Sequence, residues 1–124
     1  MYKNRRIEKV SSLLKKEISL ILMNDFEDDI IIENFVSITK IELSGDLQHC
    51  KIYITASASE NDKNTMVEKL NIAKSSIRHL LGKRIEMRRI PELVFKKDRV
   101  MDEGLSVLKV LDELRENNNL LEKD

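Results

Sequence analysis

Apolar positions along the chain repeat with two periods. Over residues 5–23, Ile7, Val10, Leu14, Ile18 and Ile21 recur at helical spacing, while Arg5, Lys9, Ser12 and Lys16 fall on the opposite side. Asn4 is placed to cap this helix and Asn24 to close it in a left-handed turn. Residues 25–34 are acidic and read as a loop. Residues 35–43 are rich in β-branched side chains. Residues 49–56 alternate cleanly, with Cys50, Ile52, Ile54 and Ala56 on one face and His49, Lys51, Tyr53 and Thr55 on the other. Ser44-Gly45-Asp46 between them is hairpin-turn chemistry.

Residues 57–64 are polar. A helical stripe then runs unbroken from about Asn64 to Leu81 through Met66, Leu70, Ala73, Ile77 and Leu80/Leu81. Thr65 with Glu68 predicts a capping box at its start, and Gly82 predicts its end. Residues 84–97 read as extended, with Pro91 breaking or bulging the strand or marking an exposed edge. A last helix is predicted over about 103–116 on Leu105, Leu108, Leu111 and Leu114, with Asp102 as its cap. Residues 117–124 are expected to fray. The order helix, strand, strand, helix, strand, helix predicts one α+β domain over residues 1–116, with the helices on one face of a single sheet.

Composition narrows the class. A chain of 124 residues suits one domain and can bury a real core. Cys50 is the sole cysteine, so no intramolecular disulfide can form, which suits a reducing cytoplasm. No apolar run approaches the length of a membrane span. The basic N-terminus lacks the apolar core of a signal peptide.

The formal charge sums to zero, yet it is segregated along the chain. Lys3, Arg5, Arg6, Lys9, Lys15 and Lys16 face only Glu8 within residues 1–16. Lys74, Arg78, Lys83, Arg84, Arg88 and Arg89 face only Glu86 within residues 74–90. Asp25, Glu27, Asp28, Asp29 and Glu33 stand together without a base. Local fields rather than net charge steer a polyanion to a surface.

Catalytic chemistry finds little footing. The three glycines, Gly45, Gly82 and Gly104, are too sparse for a phosphate loop or a dinucleotide fingerprint. His49 and Cys50 are adjacent on a strand and point to opposite faces, which argues against a shared metal. Asp28 and Asp29 read as a solvated loop rather than an acid–base pair. Ser75 and Ser76 beside Lys74 read as mid-helix serines rather than nucleophiles. Cys50 reads as a small core residue. No enzyme activity, metal, cofactor or small-molecule substrate is expected.

The one-sided segment 74–89 reads instead as a phosphate-binding face built on a helix and the strand it feeds. The chain has five aromatics (Tyr2, Phe26, Phe35, Tyr53 and Phe95), so base stacking is not expected to dominate. Recognition of shape and phosphate fits better. The expected RNA-binding residues are Arg5, Arg6, Lys9, Lys74, Ser75, Arg78, Lys83, Arg84, Arg88 and Arg89.

From Arg5 to Leu114 the chain resembles the bacterial ribosome-binding factor A family. The N-terminal helix carries Arg5-Arg6-Ile7-Glu8-Lys9-Val10. The hairpin carries Val36 through Leu47, then Cys50-Lys51-Ile52-Tyr53-Ile54. The most specific block runs from Ile77 through Gly82-Lys83-Arg84 and Pro91-Glu92-Leu93 to Phe95. The resemblance implies a type II KH-like fold in which an Ala-x-Gly kink between two helices replaces the usual Gly-x-x-Gly loop. Here that kink reads Ala73-Lys74-Ser75, with serine in place of glycine. It also implies a monomeric, non-catalytic assembly factor that binds the free small (30S) ribosomal subunit. Such a factor supports late maturation and processing of 16S ribosomal RNA near its 5′-terminal helix. A competing reading is a protein-interaction module that uses the acidic loop and the C-terminal helix without touching RNA.

Overall fold

The computed structural model describes residues 2–26, 28, 31, 34 and 36–99. The expected helix over 103–116, the domain boundary at 116 and the tail lie outside the described residues. Among the described residues six elements follow in order: α1 (Tyr2–Asn24), β1 (Ser37–Leu43), β2 (His49–Thr55), α2 (Glu60–Ile72), α3 (Lys74–Arg84) and β3 (Glu92–Lys97). This is the helix–strand–strand–helix–helix–strand order that the resemblance implies. β2 is the central strand, antiparallel to β1 and parallel to β3.

The alternation read from β2 sets the two faces of the sheet. Cys50, Ile52 and Ile54 are buried on one face, with Leu93 and Phe95 beside them on β3. Leu14, Ile18 and Ile21 of α1, Met66 and Leu70 of α2, and Ile77 and Leu81 of α3 close over that face. β1 reaches the core by an irregularity. Its register shifts between Ile38 and Lys40, so Ile38 pairs with Ile54 while Ile41 and Leu43 pair with Ile52 and Cys50. A bulge at Thr39 thus turns residues three and five positions beyond Ile38 to the same face. Thr39 is held there by its hydroxyl, which donates to Asp98 Oδ2 at 2.5 Å.

The stripe from Met66 to Leu81 is continuous as packing but broken as backbone. Ala73 has φ −86° and ψ 2°, which ends α2 and begins α3. Its N–H donates to Lys69 O and its carbonyl accepts from Ile77 N–H, both at 3.0 Å. One dihedral bends the axis while the same apolar face stays down, so periodicity cannot register it. The single helix predicted from the pattern is therefore two helices, and Ser75 is compatible with the kink.

Several boundaries also differ from expectation. α1 already starts at Tyr2, so Asn4 lies inside the helix rather than capping it, and Asn24 ends it without a left-handed residue. Ser59, not Thr65, caps α2: its backbone is extended and its Oγ accepts from Asp62 N–H at 3.2 Å. Thr65 already lies inside the helix and donates to Asn61 O. Gly82 does not stop α3, because Arg84 is held by α1 and Ile85 is buried, which carries the chain on to an extended cap. Residues 85–91 form a loop rather than a strand. Pro91 is fully buried and has no N–H for a ladder, so pairing starts at Glu92, whose N–H donates to Gln48 O at 2.8 Å. In the hairpin turn, Leu47 rather than Gly45 takes the left-handed conformation (φ 62°). Asp46 Oδ1 accepts from both the Ser44 hydroxyl and Gln48 N–H, which holds that carboxyl below its usual range.

Cys50 is 1% exposed, and burial pushes its thiol from 9.0 up to about 12. Unfolding restores the ordinary value, so the unfolded state releases its proton first as pH rises. The neutral thiol's contribution is intact below pH 9 and is lost between about 9 and about 12. We expect Cys50 to resist thiol-specific reagents in the native protein at pH 8 and to react fully in denaturant. Rapid native-state labelling would contradict this burial.

Candidate nucleic-acid interface

The cations of the chain divide into those tied to the fold and those left open. Arg84, on the last turn of α3, is tied to α1. Its Nε donates to Glu17 Oε2 at 2.8 Å, and its Nη1 lies 3.4 Å from Asp25 Oδ2. Arg78 turns inward: its Nη2 donates to the carbonyl of Ile90 at 2.8 Å, and its Nε is buried with no partner among the described residues. These two arginines hold the start and end of the 85–91 loop against α1 and α3. Lys69 bonds Asp28, and Lys97 bonds Glu60 and Asn64. The Lys97 ammonium holds Glu60 below its usual range. Lys40 pairs with Glu42 at 2.8 Å and lies over the Tyr53 ring, and its ammonium likewise lowers the Glu42 carboxyl.

Lys74, Lys83, Arg88 and Arg89 are exposed and make no ion pair among the described residues. Lys74 and Ser75 open α3 at the kink, and Arg88 and Arg89 sit on the loop that Arg78 and Arg84 anchor. A free surface cation can meet a phosphate without first breaking an internal pair. Arg5, Arg6 and Lys9 are also exposed and unpaired among the described residues, at the start of α1. Arg84 grips α1 at Glu17, about 18 Å of helical rise from Arg5. The N-terminal cluster therefore sits toward the opposite end of α1 from that tie.

Beside the kink, a cleft of about 380 Å³ is lined by Lys74, Ser75, Arg78, Lys51, Leu93 and Val94, among others. Lys51 is the residue that sequence reading passed over. It appeared as one polar position among four on β2, and its pairing with Val94 of β3 places it at the cleft that Lys74, Ser75 and Arg78 also line. Among the described residues, no three His, Cys, Asp or Glu side chains converge as a metal site would require. No described helix is long and apolar enough to cross a membrane. Two acids of the 25–33 loop, Asp25 and Asp28, are engaged by Arg84 and Lys69 rather than held out for a partner.

Residues 6–111 match the family described as "Ribosome-binding factor A". The chain belongs to the ribosome-binding factor A family. A ribosome-binding factor A of Prochlorococcus marinus (strain MIT 9301) is 66% identical over 127 aligned residues, covering 100% of this chain and 98% of that one. The crystal structure of ribosome-binding factor A from Thermus thermophilus superposes with a TM-score of 0.64 at 22% identity, covering 73% of this chain and 93% of that one. A homology model of the Thermus thermophilus factor, fitted into an electron-microscopy map of a complex of that factor with the 30S subunit, gives a TM-score of 0.60 at 24% identity, with the same coverage. These likenesses establish the type II KH-like fold of the ribosome-binding factor A family for this chain.

Arg84 and Lys83 are neighbours with different expected roles. Arg84→Gln should lower stability by about 1 kcal/mol, because its pairs are partly solvent-screened. Lys83→Gln should change stability little. Arg78→Ala strands the Ile90 carbonyl and should cost about 1–3 kcal/mol. Urea denaturation of the three variants checks all three values.

Proposed function

We propose that this chain binds the free small ribosomal subunit and assists late maturation and processing of its 16S RNA, near the 5′-terminal helix. Its contact surface is the kink and the 85–91 loop. The observation that carries this reading is the set of untied cations, Lys74, Lys83, Arg88 and Arg89, on elements that Arg78 and Arg84 make rigid. Family membership supports it, as does the relative from Thermus thermophilus fitted on a 30S subunit. Arg5, Arg6 and Lys9 extend the contact along α1. Ser75 and Lys51 line its cleft. Arg78 and Arg84 serve the contact mainly by positioning the loop.

The binding mode is a charged surface fitted to folded RNA, with no covalent chemistry asked of the protein. Described aromatic side chains do not gather at the kink: Phe95 is buried, and Tyr53 lies under Lys40 on the open face of the sheet. Phosphate contact and shape therefore supply the affinity.

Arg88→Glu combined with Arg89→Glu should weaken co-sedimentation with purified small subunits while leaving the thermal melt intact. The log–log salt slope should shrink by roughly 0.7–0.9 for each phosphate that the variant no longer neutralises. Unchanged binding, or a salt response that is flat in the native protein, would sink the RNA reading and favour protein contacts.

A further inference from the structure

Ile72, the last residue of α2, is 77% exposed, the most exposed large apolar side chain among the described residues. Isolated exposed apolar residues are ordinary on protein surfaces. Ile72 differs in being held out by its neighbours. Leu70 is wholly buried. The Asn71 carboxamide grips the free edge of β3: its Nδ2 donates to Phe95 O at 3.0 Å, and its Oδ1 accepts from Phe95 N–H at 2.8 Å. Ala73 packs on the core. Successive helical residues lie about 100° apart, so anchoring positions 70, 71 and 73 leaves 72 facing water. Turning α2 to bury Ile72 would break both Asn71 bonds and lift Leu70 from the core.

The surroundings of this tip point to its partner. Lys74 and Ser75 are exposed beside it, the first turn of α3 has no acid, and Lys74 has no ion pair among the described residues. An apolar protein surface would leave that ammonium desolvated and unpaired, whereas RNA supplies a phosphate within reach. An aliphatic tip has no ring face on which to stack a base. It suits the riboses of a wide, shallow minor groove.

We infer that Ile72 is an apolar contact point that seats in the minor groove of an A-form segment of the subunit's RNA, with Lys74 on a flanking phosphate. This rests on the function proposed above. In it, Asn71 is a positioning residue that sets the tip through β3.

The test is equilibrium binding of the full chain to purified small subunits over a salt series. Ile72→Ala should weaken binding roughly tenfold at every salt concentration, with the salt slope and the thermal melt unchanged. Lys74→Gln should instead flatten the slope. A photoreactive phenylalanine placed at position 72 should cross-link to RNA. Wild-type affinity for Ile72→Ala overturns the inference and leaves the proposed function standing. Cross-links confined to ribosomal proteins also overturn it. Failure of the wild-type chain to bind small subunits overturns both.

Discussion

Among the described residues, three helices cover one face of a three-stranded sheet, and the seam where they meet the sheet governs the rest of the fold. Phe95, Ile52 and Ile54 fill it from below, and Leu14, Ile18, Leu70, Ile77 and Leu81 fill it from above. Each of the last two strands has one apolar face, and a single sheet this small needs that face covered to be stable. The Thr39 bulge, the bend at Ala73 and the burial of Pro91 all serve this demand, because each keeps apolar side chains on the covered face where the backbone alone would not.

Polar side chains then fix what the core leaves loose. Asn71, Arg78 and Arg84 each reach from a helix to specific partners: the edge of β3, the carbonyl of Ile90, and Glu17 of α1 with Asp25 just past its end. Their shared effect is to hold the kink and the 85–91 loop in place. The cations left over there stay hydrated, with no ion pair among the described residues. A rigid platform with open charges loses little conformational freedom when it meets a polyanion.

This division shows how much of the candidate site was legible beforehand. A one-sided charge run is visible in a sequence, so the basic segment 74–89 stood out at once. Whether a given arginine faces solvent or an internal partner depends on what another element brings to it. Arg84 meets Glu17 and Asp25 from residues about sixty positions away, and Arg78 meets a loop carbonyl. Lys51 was hidden for the same reason, since it pairs with β3 and shares its cleft with residues of α3.

The sequence by itself determined the elements whose signal is local: α1 from its 3.6-residue stripe, β2 from its strict alternation, the hairpin from its turn residues, and Cys50 as core. It also carried the family's motif spacing. Only the tertiary structure decided the break at Ala73, the start of α2 at Ser59, the run of α3 past Gly82, and the sorting of cations into tied and free. Periodicity records which side of a segment is buried, and that side is the same for a straight helix and a bent one. The bend, the caps and the ion pairs depend on groups that become neighbours only after the chain has folded.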